Sequence, residues 1–103
     1  MAYATSLTAL ADPTRRAVFE RLRGGPRSVS DIARDLPVSR PAVSQHLKAL
    51  KDAGLVRDEA RGTARIYRIH APALAELRAW VDGFWSDALE SFKTYAEGDN
   101  ERR

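Results

Sequence analysis

The sequence predicts a mainly α-helical domain with a small β-hairpin, about five helices and two strands, and three observations predict it. Apolar residues recur at i, i+3, i+4 and i+7 through five segments, the spacing of a helix face turned to a core. Starting and stopping residues punctuate those segments: Asp12-Pro13, Ser28 and Ser39 at starts, Gly24-Gly25-Pro26, Pro37 and Gly54 at stops. Between the fourth and fifth segments, "LVRDEARGTARIYRIH" is strand-like instead and carries the turn residues Arg61-Gly62-Thr63 near its centre.

The elements follow in order. "YATSLTAL", residues 3–10, places Tyr3, Leu7 and Leu10 on one side of a first helix. Asp12 offers an N-cap oxygen and Pro13 suits the first helical position, so a second helix runs to about Arg23 with Val18, Phe19 and Leu22 inward. Ser28 and Asp31 form an S-x-x-D start close to a capping box. Val29, Ile32, Ala33 and Leu36 are the buried face of the third helix, which Pro37 stops. Ser39 caps a fourth helix with the stripe Val43, Leu47, Leu50, and Gly54 stands where a left-handed residue is wanted. The hairpin follows, with Tyr67 and Ile69 on one face. A two-stranded hairpin is marginal alone, so it must pack on the helices. A long helix from Pro72 to about Glu97 completes residues 1–98 as one domain, with Gly98 as its stop and 99–103 as a disordered tail.

The 103 residues fit one domain, and so small a core makes a second copy a natural source of further burial. The chain has no cysteine, which excludes disulfides and thiolate metal sites. No apolar run approaches the roughly 20 residues of a membrane span, and no signal peptide is evident, so a cytoplasmic location is expected. The net charge of +3 is unevenly placed. Residues 13–70 carry +7, residues 1–12 carry −1 and residues 71–103 carry −3. A basic middle points to a polyanion partner.

Two short helices joined by "PVS" have the form of a helix-turn-helix, and the hairpin adds a wing. The B-DNA major groove admits one α-helix, held with its N-terminal part forward. The outward residues of the fourth helix suit that task. Ser39 places its start, and the free N–H groups there favour phosphate. Arg40 can pair with phosphate or bidentately with guanine, Gln45 can read adenine, and Ser44 is small and adaptable. Pro41 stiffens the first turn without a lost bond, and Lys48 suits phosphate. His46 shares a turn with Val43 and Leu50, which favours a half-buried place near the DNA backbone over base reading. Arg57, Arg61, Thr63 and Arg65 supply the wing's contacts to phosphate or the minor groove, with Arg61 beside flexible Gly62. Arg15, Arg16 and Arg27 are weaker candidates for backbone contact.

"LADPTRRAVFERL", "SVSDIARDLPVSRPAVSQHLKALKDAGLV" and "GTARIYRI" together resemble the ArsR/SmtB family of bacterial winged-helix repressors, over about residues 7–70. The resemblance implies a homodimer on double-stranded DNA, a recognition helix at 40–53, a wing at 57–68 and dimer contacts from the first and last helices. It departs from the metal-sensing branch, whose members use cysteines near the third helix or carboxylate and histidine pairs on the last. Here there is no cysteine, and the last helix has Asp82, Asp87 and Glu90 without histidine. Carboxylates alone make a poor selective transition-metal site, so no metal and no cofactor is expected.

The last helix carries an apolar stripe wider than one small domain can cover, which favours a dimer interface. Tyr3, Leu7, Leu74, Leu77, Trp80, Val81, Phe84, Trp85, Ala88 and Phe92 are its expected members. The alternatives are a winged-helix interaction module that does not read DNA, and a ligand-responsive repressor with a small-molecule pocket at the dimer interface. The sequence names no effector. It holds no nucleophile-base-orienter set, glycine-rich phosphate loop or metal-ligand cluster, so an enzyme is not expected.

Overall fold

The computed structural model describes residues 2–101, with the side chains of residues 4–98. The order is α1 (Ala2–Ala11), α2 (Pro13–Glu20), β1 (Arg27–Ser28), α3 (Val29–Arg34), α4 (Arg40–Asp52), β2 (Val56–Arg61), β3 (Ala64–Ile69) and α5 (Ala71–Glu101). Three helices start as their capping residues dictate. Asp12 Oδ1 accepts the N–H of Arg15 at 2.9 Å, Ser28 Oγ that of Asp31 at 3.2 Å, and Ser39 Oγ that of Ala42 at 3.2 Å. Each such cap is worth about 1 kcal/mol.

The core lies where α2, α3 and α4 meet the base of the sheet. Val18, Ile32, Val43, Leu47, Leu50, Leu55 and Val56 are its fully buried side chains, with Phe19, Leu22, Ala9 and Tyr67 around them. The 3-4 stripe of α4 thus packs whole, at about 1.5–3 kcal/mol per buried aliphatic side chain. Gly54 ends α4 with φ 81°, its N–H donating to Lys51 O at 2.9 Å while the N–H of Leu55 donates to Leu50 O at 3.0 Å. This pair of bonds is a Schellman motif, and it turns the chain from α4 into β2.

The structure differs from the expected outline in four places. The wing is a three-stranded antiparallel sheet in the order β1-β3-β2, with Arg27 opposite Tyr67 and Ser28 opposite Ile66. The extended backbone that Ser28 needs as N-cap (φ −79°, ψ 161°) also lets it pair as a strand. Second, α2 ends at Glu20, and residues to Arg23 continue in tighter i→i−3 turns, such as Leu22 N–H to Phe19 O at 3.0 Å. Third, α3 ends at Arg34, before Pro37, because Asp35 and Leu36 also turn to i→i−3 bonds. Fourth, α5 runs through Gly98 to Glu101, into the segment expected as a disordered tail. A glycine costs a helix only about 1 kcal/mol, and no left-handed turn is imposed at Gly98.

Candidate nucleic-acid interface

The face of α4 opposite the core carries the expected polar set. Arg40, Pro41, Ser44, Gln45 and Lys48 are all exposed, as is the capping Ser39. Among the described residues no side-chain hydrogen bond or ion pair engages Arg40, Ser44 or Gln45, so these three are free to meet a ligand. Lys48 makes only a loose 3.7 Å pair with Asp52, both well exposed. Such a pair contributes little and yields readily to phosphate.

His46 is half-buried and turned to the start of α2, off the exposed face. The Asp12 carboxyl is held below the usual carboxylate range, first by the backbone N–H of Arg15, with the charge of His46 among the smaller contributions. The histidine thus sits beside the α2 cap.

The wing places its residues on two faces, set by the register Val56–Ile69, Asp58–Tyr67 and Ala60–Arg65. These residues share the side that packs toward α4. Arg57, Glu59, Arg61 and Arg68 share the other. At the tip Gly62, with φ 60°, and Thr63 join the strands. Arg40 and Ser44 of α4 line a cleft of about 190 Å³ with Thr63 and Arg65, so α4 and the wing tip border one groove.

Several expected contact residues are already engaged within the chain. Arg65 Nη1 donates to Asp58 Oδ2 at 2.8 Å, and Arg57 Nε donates to His70 Nδ1 at 3.1 Å. Arg61 lies 3.4 Å from Glu59, and Arg68 shares that carboxylate at 3.9 Å. Of the weaker candidates, Arg15 and Arg16 donate at 3.4 Å to the carbonyls of Ala9 and Leu10, capping the end of α1, and Arg27 pairs with Asp35 at 3.0 Å. Sequence reasoning missed Asp58 and Lys51, whose Nζ meets Asp58 Oδ1 at 2.9 Å. The signal was present: alternation puts Asp58 between Val56 and Ala60 on the inward side, where an acid requires a cation. Lys51, ahead of Arg65, holds the Asp58 carboxyl below the usual range against the opposing effect of burial.

The second candidate surface is α5. Leu7, Leu74, Val81, Phe84, Trp85, Ala88 and Phe92 are exposed, as are Leu89 and Tyr95 of the same stripe. Trp80 is half-buried and meets the ring of Phe84 edge-on at 4.9 Å. Leu77 differs: it packs against the core of its own chain. Tyr3 lies outside the described side chains. Every residue from Val81 to Tyr95 is exposed. The radius of gyration, 19.1 Å, far exceeds the ~13 Å of a compact domain of this size, because α5 projects.

Among the described residues no group of three or more histidines, cysteines or acids is placed to hold a metal ion, and no helix is long and apolar enough to cross a membrane.

Comparison with known proteins agrees with this geometry. A family profile described as a helix-turn-helix domain matches residues 10–59. The HTH-type transcriptional regulator Rv2034 of Mycobacterium tuberculosis is 55% identical over 89% of this chain and 88% of its own length. The transcriptional repressor SdpR of Bacillus subtilis is 34% identical over 74% of this chain and 84% of its own. Among solved structures, the homodimeric winged helix-turn-helix DNA-binding domain of a possible ArsR-family regulator from Mycobacterium bovis superposes with a TM-score of 0.67. It is 34% identical and covers 86% of this chain and 82% of that one.

Proposed function

This chain belongs to the ArsR family of winged helix-turn-helix transcriptional regulators, and we propose that it is a homodimeric repressor reading an inverted-repeat operator through α4 and the wing at 57–68. The observation that carries the reading is the division of α4 into two faces. Val43, Leu47 and Leu50 are buried, while Arg40, Ser44 and Gln45 stand exposed and unengaged among the described residues. Three unspent polar groups on a braced helix have the chemistry of base-edge readout, Arg40 toward guanine and Gln45 toward adenine. Ser39, Pro41 and Lys48 keep the first turns against the phosphate backbone, and Arg61 and Thr63 bring the wing tip to it. Arg57 and Arg65 contact DNA only by sharing or leaving His70 and Asp58. His46 supports the helix from the α2 side.

The homodimer reading rests on the exposed stripe of α5, which includes Leu74 and is continued by Leu7 of α1. A projecting aromatic helix face asks for cover, and a symmetric second copy supplies it with the same residues. The interior of a bacterial cell is the location that goes with this function.

Footprinting on a duplex selected from a random pool tests the reading. Two half-sites about 34–36 Å apart, or a multiple of that spacing, are expected, and a single isolated half-site counts against it. Arg40→Ala should weaken operator binding by about tenfold or more with the dimer intact. A shift assay at fixed salt checks this; unchanged affinity would remove Arg40 from the reading set.

A further inference from the structure

Asp58 is the feature the DNA-reading face leaves unexplained. Its side chain is 6% exposed, whereas Glu59, the other acid of the wing, is 48% exposed. Each of its oxygens takes one cation: Oδ1 the Lys51 ammonium at 2.9 Å, and Oδ2 the Arg65 guanidinium at 2.8 Å. Lys51 belongs to the last turn of α4, and Arg65 to the strand that returns from the wing tip. The two cations are half exposed, at 50% and 54%, so the carboxylate is the fixed centre and the cations close over it. A nearly buried carboxylate tolerates poor geometry badly, because losing one partner leaves charge unpaired in a dry place.

The position in the register matters as much as the chemistry. Near the base, Val56 and its partner Ile69 hold the sheet to the helices by apolar burial. Asp58 lies one inward position further out, and Arg65 one further still. Among the described residues no side-chain bond ties the wing to α4 beyond this point. The same Arg65 also lines the groove between Arg40 and Thr63.

We propose that Asp58 is a positioning residue for operator discrimination, holding Lys51 of α4 and Arg65 of β3 together so that recognition helix and wing meet a duplex at one angle. The inference rests on the DNA-reading face proposed above. It makes Arg65 a wing-setting residue that acts through Asp58, and it gives Lys51, which does not line the groove, a reason to be a cation. It also has an electrostatic side. The clasp neutralises one of two positive charges, and without the acid both are released to any phosphate in reach.

The experiment compares a duplex selected from a random pool by the unaltered protein with poly(dI-dC) as non-specific DNA, over a salt series. Asp58→Asn should lower affinity for the selected duplex by about tenfold or more, the scale of a lost base-pair contact. Its binding to poly(dI-dC) should hold or strengthen, with a log–log salt slope steeper by up to about two per protomer, or about four for the dimer, one for each released cation. General loss of folding weakens both duplexes and does not steepen that slope. Asp58→Glu keeps the charge and displaces the cations by one methylene. It should lose discrimination at an unchanged salt slope, which keeps the test decisive if the asparagine variant folds poorly. Arg65→Met should cost discrimination in the unaltered protein and add little in the Asp58→Asn background. Equal cost of Arg65→Met in both backgrounds, or full discrimination in folded Asp58→Glu, overturns the proposal. Failure of the unaltered protein to select any duplex overturns the DNA reading instead, so the two failures are distinct.

Discussion

Asp58 and Leu47 show two ways in which one side chain supports the reading helix. Leu47 is fully buried at the centre of the α4 stripe. Leu47→Ala should cost about 2–5 kcal/mol of stability, read from chemical denaturation, since the packed site cannot close over the lost volume. Asp58 acts through charge, and its contribution depends on pH. Its folded-state pKa lies below the ordinary 3.8, so the stability it adds is fully present above that value. That stability drains as pH falls through 3.8 toward the lower folded value. Asp12 is shifted in the same direction by its cap bond, so acid melting of the unaltered chain alone does not separate the two. The difference between the unaltered chain and Asp58→Asn does. Their melting temperatures should differ most near neutrality and converge below pH 3.8. A gap that persists undiminished in acid would show that Asp58 contributes by shape rather than charge.

At the scale of elements, the turn out of α4 decides where the wing begins. Gly54 has φ 81°, and a Cβ added there would meet nothing within 4 Å. Gly54→Ala should therefore destabilise by about 1–2 kcal/mol, through backbone conformation alone, and thermal unfolding checks it. This turn was readable in the sequence because a glycine after an apolar stripe is a local signal. The same holds for the caps at Asp12, Ser28 and Ser39, whose oxygens bond within three residues, and for the stripe of α4. What escaped sequence reading is of another kind. β1 has only two residues, Arg27 and Ser28, too few to show an alternation, and its partner lies some forty residues on. The Lys51–Asp58–Arg65 clasp joins three segments across the fold, and the engagement of Arg57 by His70 likewise depends on where two strand ends meet. The end of α5 escaped for a third reason. Gly98 has the residue type of a stop but does not take the left-handed backbone that ends a helix, so the helix continues.

At the scale of the molecule, the globular part and α5 have different needs. The core around α4 is closed within one chain, whereas the outer length of α5 has no cover in it. The principal extents, 71 × 26 × 22 Å, record that imbalance. Trp85 is 65% exposed in the single chain, so Trp85→Asp should leave secondary structure intact while shifting the chain to monomer. Sedimentation velocity reads the assembly, and operator affinity should fall with it because two linked half-sites become one. A dimer that survives Trp85→Asp would place the interface elsewhere.

The projecting stripe also bears on how such a regulator responds to its own abundance. Its DNA-competent form is made from two chains, so at low levels that form rises with the square of the chain concentration. Occupancy of an operator then has a threshold: scarce chains leave the gene open, and a modest rise closes it. The aromatic face of α5 thereby makes expression level itself an input to the operator's occupancy.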